Sequence, residues 1–299
     1  MTLSFTHTAR LFLFLCLFTF TSVHASISTF SKAPRVEDLI VEVFADSTLQ
    51  NALVIFDLDY VLLTPKEKIL RPCGEKNGLR KGEFDHLKKL TKDKTHVVDG
   101  IEVSEFDYLL SILISSMESE LVDPQLIDLI EQLQKNKIPI IVLSNNRSGR
   151  IGLVENLTEK KSQELAQWNI HLDHSIFDPT KTISSIDSHS PHFCSGLLFT
   201  DGATKGETLK AFFQAQNYYP KSVIFIDDRE KMLQSVAEAC EELNIEFKGI
   251  HFTQLTDQEE TCDQKTAHFQ FNYLLENKKW LNDNEVIDHL KTDQKILIF

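Results

Sequence analysis

Residues 54–65 read VIFDLDYVLLTP, with two aspartates, Asp57 and Asp59, at the end of an apolar run. The run is rich in β-branched and large apolar side chains and does not alternate with polar ones. This pattern predicts a strand that is buried on both faces. The two carboxylates either cap an acidic turn or project from the strand end to carry out chemistry. Taken alone, so short a motif does not decide between these interpretations.

The pairing of an apolar strand with a helical pattern recurs along the chain. Strands are predicted for residues 52–63, 138–146, 195–202, 221–228 and 245–252, and helices for residues 123–137, 148–168, 205–217 and 229–244. Continuous apolar strands that alternate with helices indicate an α/β fold. We therefore expect a parallel sheet that is flanked by helices on both faces.

Two parts of the chain fall outside this alternation. Residues 64–122 hold a charged segment and then an apolar-periodic helix, so they are predicted to form a helical insertion. Residues 254–299 are polar with helical spacing, and we expect a helical appendage to the core. The α/β core itself is expected to comprise residues 26–63 and 123–253.

The first 25 residues have the pattern of a secretory signal. Arg10 precedes the apolar stretch LFLFLCLFTFTSV, and Val23 and Ala25 are small residues at the spacing of a signal peptidase site. The stretch is shorter than the roughly 20 residues that a membrane span needs. We expect cleavage after Ala25, no membrane span in the mature chain, and export to the periplasm or beyond. A glycosylation sequon at Asn146, where a glycan would block the site predicted below, favours a bacterial source.

The charge and the cysteines limit the possible partners. The net charge of −13 becomes −14 without the signal segment, which holds one basic residue and no acidic one. So acidic a chain is not expected to bind nucleic acid or anionic membranes. Four cysteines remain in the mature chain, and they allow two disulfides in any of three pairings: Cys73, Cys194, Cys240 and Cys262. The sequence does not choose among them, and it leaves the oligomeric state open.

Polar side chains stand where the predicted strands end or the following helix begins. They are Asp57 and Asp59 after the first strand, Ser144 and Asn145 after the second, Lys205 at a helix start, and Asp227 and Asp228 after the fourth. Open parallel sheets place their sites at the carboxyl ends of the strands. Carboxylates, a hydroxyl and a lysine brought together there predict a site for a phosphate group and a divalent cation.

In these residues the sequence resembles the haloacid dehalogenase superfamily of phosphohydrolases. LVIFDLDYVLL matches the superfamily's first motif, Ser144 after IIVL the second, Lys205 in KGETLKAF the third, and VIFIDD the acidic fourth. The match covers roughly residues 50–253 and is most like an uncharacterised branch of secreted bacterial proteins. The resemblance implies a Rossmann-like core, with residues 64–122 as a helical cap inserted between the first two motifs.

The resemblance also implies roles for the matched residues. Asp57 would be the nucleophile that forms an aspartyl-phosphate, and Asp59 the general acid and base. Ser144 and Asn145 would bind the phosphate, and Lys205 would both bind it and balance the charge of the transition state.

The resemblance further implies a Mg²⁺ cofactor. Its ligands would be the Asp57 carboxylate, the backbone carbonyl of Asp59, and Asp227 or Asp228 or both. Dehalogenases of the superfamily lack the second aspartate of the first motif, so Asp59 points towards phosphate rather than carbon–halogen chemistry. Where many relatives carry Asn or Asp just after the fourth motif, this chain has Glu230 and Lys231.

The sequence therefore predicts an exported, Mg²⁺-dependent phosphatase that acts on a small phosphomonoester. One alternative is a catalytically silent protein that keeps the fold as a binding or effector module. A phosphotransferase would use the same residues and would differ only in the acceptor that attacks the intermediate. The sequence does not identify the substrate.

Overall fold

The computed structural model describes residues 27–172 and 176–296. The predicted signal segment lies outside these residues. The strands are β1 (Ser28–Ala33), β2 (Ala52–Phe56), β3 (Leu63–Pro65), β4 (Thr95–Val98), β5 (Ile101–Ser104), β6 (Ser119–Leu121), β7 (Ile140–Ser144), β8 (His192–Cys194), β9 (Leu197–Phe199), β10 (Ser222–Asp227) and β11 (Glu246–Phe252). The helices are α1 (Val36–Phe44), α2 (Pro72–Glu75), α3 (Leu79–Thr91), α4 (Glu105–Ser116), α5 (Gln125–Lys135), α6 (Leu157–Gln167), α7 (Lys205–Gln216), α8 (Glu230–Glu242), α9 (Gln264–Asn277) and α10 (Asp283–Ile296).

Seven strands form the central sheet in the order β1-β11-β10-β2-β7-β9-β8. Each neighbouring pair is parallel except β8 and β9, which form an antiparallel edge. The expected α/β fold with a mostly parallel sheet is confirmed. The three strands that precede the predicted carboxylates and Ser144, namely β10, β2 and β7, are adjacent at the centre of the sheet.

The sheet is buried on both faces, as its uninterrupted apolar strands require. Along β2, Val54 and Phe56 belong to one hydrophobic cluster, and Leu53 and Ile55 belong to another on the opposite face. Alternate side chains of a strand point to opposite faces, so a strand that is apolar at every position needs cover on both. Helices α1 and α5 contribute to the first cluster, and helices α7 and α8 to the second.

Residues 64–122, called the insertion below, leave and rejoin the core at one place. Strand β3 at its start pairs antiparallel with β6 at its end, and the hairpin of β4 and β5 lies between helices α3 and α4. A third hydrophobic cluster lies within the insertion, built around Leu87, Leu109 and Leu113.

The C-terminal helices are present as predicted, but their position differs from the expected appendage to the core. Helix α9 packs against α3 and α4, and Phe271, Leu274 and Trp280 enter the hydrophobic cluster of the insertion. Helices α3, α4 and α9 bury this apolar cluster together. The last part of the chain therefore completes the insertion.

Two further details differ from the sequence interpretation or settle what it left open. Helix α6 begins at Leu157 rather than at residue 148, because the Asn156 side chain caps it by accepting a hydrogen bond from Glu159 N at 3.1 Å. The four cysteines of the described chain, which could have formed two disulfides, are free thiols.

Candidate functional site at the carboxyl edge of the sheet

The adjacent strands β10, β2 and β7 bring three predicted site residues to one edge of the sheet. Asp227 is the last residue of β10, Ser144 is the last residue of β7, and Asp57 directly follows β2. The backbone N–H of Asp57 donates to Ile226 O at 2.8 Å, so the parallel ladder continues up to the carboxylates. The side chain of Asp57 accepts a hydrogen bond from Leu58 N at 2.7 Å. Its position is thus fixed from both sides.

Lys205 connects two of these carboxylates. Its Nζ lies 2.9 Å from Asp57 Oδ1 and 2.6 Å from Asp227 Oδ2, and the side chain is 1% exposed. Burial lowers the pKa of Lys205, but the negative charges of Asp57 and Asp227 outweigh it and raise the pKa overall. The lysine is therefore a permanent cation between two acids.

Gly206 explains how Lys205 reaches this position. A Cβ on Gly206 would lie 2.1 Å from Ser235 O, so only glycine lets the start of α7 approach α8 this closely. A capping box of Thr204 and Glu207 fixes the first turn of α7. The N-terminus of the helix, with Lys205 as its first residue, is held against the strand ends.

The carboxylates carry more negative charge than Lys205 balances. Burial, and then the charge of Asp227, raises the pKa of Asp228 to about 6. Burial also raises the pKa of Asp57 well above its usual range, with Lys205 opposing the shift and Asp227 adding to it. The pKa of an acid rises in this way when burial and neighbouring negative charge outweigh the nearby positive charge.

The arrangement fits a divalent cation. Asp57, Asp227 and Asp228 each offer a carboxylate oxygen, and these oxygens lie within 4.8 Å of one another. Asp228 Oδ1 is buried and has no hydrogen-bond partner among the described residues. Buried oxygens are normally satisfied, and hard oxygen ligands suit Mg²⁺. These three side chains could hold such an ion.

Asp59 does not join the other carboxylates. Its Oδ2 accepts a hydrogen bond from Asn146 Nδ2 at 2.9 Å, and the same amide nitrogen lies 2.9 Å from Ser144 Oγ. Asn146 thus links the first and second predicted motifs, although sequence reasoning gave it no role. The signal was its position two residues after the end of a buried strand. Asn145, which was predicted to bind phosphate, is exposed, and its Nδ2 lies 3.6 Å from Met232 Sδ.

Tyr60 joins the site to the insertion. Its φ of +67° turns the chain sharply after Asp59. The buried Tyr60 hydroxyl donates to Leu70 O and accepts from Arg80, which also donates to Leu70 O at 2.8 Å. Burial raises the pKa of Tyr60, so the phenol stays protonated and can donate.

A cavity of about 370 Å³ lies between the carboxyl edge and the insertion. Asp59, Asn145 and Asn146 line its inner end. Lys161, which the sequence reasoning also missed, lines it with a side chain that is only 5% exposed. Burial lowers the pKa of Lys161, but Asp59 and Glu164 outweigh it and raise the pKa overall. Nothing in the helical pattern of α6 singled this lysine out.

The chain has relatives in Rickettsia and Chlamydia. It is 21% identical to an uncharacterised protein of Rickettsia prowazekii over 87% of this chain and 91% of the relative. It is 23% identical to an uncharacterised protein of Rickettsia felis over 80% of this chain and 82% of the relative. A protein of Chlamydia trachomatis named "Putative outer membrane protein" is 31% identical over 30% of this chain and 33% of the relative.

Among residues 27–172 and 176–296, no helix combines the length and apolar character that crossing a membrane requires. The family described as "Protein of unknown function (DUF2608)" matches residues 32–287, which is most of the chain. The chain belongs to that family.

Proposed function

We propose that the protein is a Mg²⁺-dependent phosphohydrolase of the haloacid dehalogenase type, which hydrolyses a phosphomonoester through an aspartyl-phosphate on Asp57. The observation that carries the proposal is the contact of Lys205 with both Asp57 and Asp227, next to Asp228 Oδ1, which is buried and accepts no hydrogen bond. A purely structural cluster would be expected to give this buried oxygen a hydrogen bond, whereas its contact with Arg229 Nε is long, at 3.9 Å. A centre that binds a dianionic phosphate and a cation would keep such an oxygen free for the cation.

The residues fit the two half-reactions. Asp57 Oδ attacks phosphorus as the bond to the leaving alcohol breaks, and Asp59 gives its proton to the alcohol oxygen. Water then attacks the phosphoryl group and returns a proton to Asp59, while the bond from phosphorus to Asp57 breaks and releases phosphate. Lys205 faces the charge that develops on the phosphoryl oxygens.

The remaining groups orient the reactants. Asn146 holds the Asp59 carboxylate beside Ser144, whose hydroxyl can donate to a phosphoryl oxygen. Asp57, Asp227 and Asp228 would hold Mg²⁺, which when bound supplies positive charge that reduces the repulsion between the nucleophile and the phosphate. In this proposal the insertion acts as the cap that covers the site.

The first test is hydrolysis of 4-nitrophenyl phosphate by the purified protein with and without Mg²⁺. We expect turnover that requires Mg²⁺ and falls by at least about a thousandfold in Asp57→Asn, because the amide is not a nucleophile. Asp128→Asn, on an exposed face of α5, is the matched control and should keep wild-type turnover. Acid-quenched protein should carry phosphate on Asp57. Turnover that survives in Asp57→Asn would contradict the proposal.

We also propose that the protein acts outside the cytoplasm. The signal-like segment that ends at Ala25 supports this, and so does the outer-membrane name of the chlamydial relatives. Expression in a bacterial host, followed by fractionation and N-terminal sequencing, should give a chain that starts at Ser26. Recovery of an uncleaved chain from the cytoplasm would overturn this part of the proposal.

A further inference from the structure

The cavity beside Asp59 has an unusual lining for a phosphate site. Its walls are mainly aliphatic and come from both the insertion and the core, chiefly Leu70, Leu110, Leu113, Ile114, Met117 and Ile151. Its polar lining includes Asp59 and Asn146, which are hydrogen-bonded to each other. Asp57 itself does not line the cavity, but Asp59, two residues further on, does. A phosphomonoester placed at Asp57 would therefore direct its alcohol part towards these apolar walls.

The positive charges around the cavity are already balanced. Arg80 forms an ion pair with Glu75, Arg147 NH1 lies 2.8 Å from Asp107 Oδ1, and Lys161 Nζ lies 2.8 Å from Glu164 Oε2. Of the described residues that line the cavity, these three are the cations. A second anionic group on the substrate would therefore compete with an existing pair.

The aliphatic walls also disfavour a polyol. The hydroxyl groups of a sugar would lose water without gaining partners along the leucine, isoleucine and methionine side chains, and such unpaired burial is costly. An apolar group gains from the same walls, because each methylene removed from water contributes favourably. The volume of about 370 Å³ lies within the range of small-molecule sites.

Building on the proposed function, we propose that the substrate is the phosphomonoester of an uncharged, mainly apolar alcohol, aromatic or medium-chain aliphatic. The phosphate lies at Asp57, and the apolar part fills the cavity between the carboxyl edge and the insertion. Helix α4 supplies the selecting surface, where Leu110 and Ile114 are one helical turn apart and half-buried.

The test measures kcat/KM for methyl, butyl and hexyl phosphate, 2-naphthyl phosphate, glucose 6-phosphate and AMP. We expect kcat/KM to rise about fourfold per methylene, as burial of apolar surface predicts. We expect 2-naphthyl phosphate to exceed both glucose 6-phosphate and AMP by at least about a hundredfold.

Variants separate the cavity from the rest of the site. Leu110→Asn should lower kcat/KM for hexyl phosphate about tenfold more than for methyl phosphate. Leu110→Met should keep the wild-type dependence of kcat/KM on chain length. Leu90→Asn makes the same change on α3, outside the cavity, and should leave the dependence of kcat/KM on chain length unaltered.

The outcomes distinguish this inference from the proposed function. Mg²⁺-dependent turnover that is insensitive to chain length, or that favours glucose 6-phosphate or AMP, overturns the inference and leaves the phosphatase in place. If no phosphoester is turned over, the proposed function fails. Calorimetry then tests the cavity directly: preferential binding of 2-naphthyl phosphate over glucose 6-phosphate supports the inference, and equal or absent binding overturns it.

Discussion

At the scale of single residues, the ionised form of Asp228 that can bind a cation is the form that lowers the stability of the fold. Its pKa is raised to about 6 by burial and by Asp227, so the folded protein favours the protonated acid. Such a group contributes stability that is fully present below its ordinary pKa of 3.8 and is lost as the pH rises through about 6. At neutral pH its ionised form costs stability unless a cation is bound.

We predict that Asp228→Asn stabilises the metal-free protein at pH 7.5 and removes its response to Mg²⁺. The amide carries no charge to desolvate, and it is a poorer ligand than a carboxylate. Thermal unfolding should give a higher Tm for the variant than for wild type above pH 6, and nearly equal values near pH 4. Millimolar Mg²⁺ should raise the Tm of wild type only. Glu241→Gln, at an exposed position of α8, should change neither value by much.

A Tm difference between Asp228→Asn and wild type that is the same at pH 4 and pH 7.5 would contradict this account. So would a variant that keeps the full Mg²⁺ stabilisation.

At the scale of elements, the contact of α7 with α8 controls where Lys205 lies. Gly206→Ala would place a Cβ 2.1 Å from Ser235 O, so the start of α7 must move away from α8. We expect a loss of about 1–3 kcal/mol in the free energy of unfolding, the usual cost of overpacking. We also expect a lower kcat, because Lys205 shifts with the helix. Denaturant unfolding and turnover of 4-nitrophenyl phosphate measure the two effects.

Gly82→Ala is the matched control on α3. No atom lies within 4 Å of a Cβ at that position, and the glycine is exposed within a helix. The substitution should therefore stabilise the protein by about 0.5–1 kcal/mol without changing kcat. If the two glycine variants behaved alike, the contact with α8 would not be what positions Lys205.

The sequence predicted the helices and strands that are specified by their own local pattern of apolar residues. Strands β2, β7 and β10 and helices α7 and α8 lie where their apolar runs and helical spacing indicated, and Asp57, Lys205 and Asp227 come together as expected. Elements that depend on distant partners were missed. Strand β1 pairs in parallel with β11, which is more than 200 residues away along the chain, and its own pattern is weak.

The site residues that were not predicted also depend on contacts between distant parts of the chain. Asn146 acts on Asp59 only because β2 and β7 are neighbours. In the sequence, Lys161 looked like one of several charged residues on an amphipathic helix. Its side chain is buried because it lies in the wall of the cavity. No spacing along the chain encodes either contact.

At the scale of the whole molecule, the insertion depends on the C-terminal helix α9. Phe271 is 2% exposed and packs edge-on against both Phe84 of α3 and Trp280. We predict that Phe271→Ala lowers the free energy of unfolding by about 3–5 kcal/mol, as large-to-small changes in a core do. Hydrogen exchange should quicken first in α3 and α4, while the amides of β2 and β10 stay protected.

Ile287→Ala removes an apolar side chain that is 42% exposed on α10, and it should leave exchange in α3 and α4 unchanged. Exchange that quickened equally in the central strands after Phe271→Ala would mean that the sheet and the insertion unfold as one unit.

The dependence of the insertion on α9 also sets the order in which the parts of the molecule can fold during synthesis. A ribosome makes the N-terminal part of a chain first, and a nascent chain can fold only what has already emerged. The central sheet is complete once residue 252 is made, but the apolar face that α9 covers stays open for the next 25 residues. A chain that crosses a membrane N-terminus first would meet the same delay on the far side. The hydrophobic cluster of the insertion is therefore finished last, after the whole central sheet has been made.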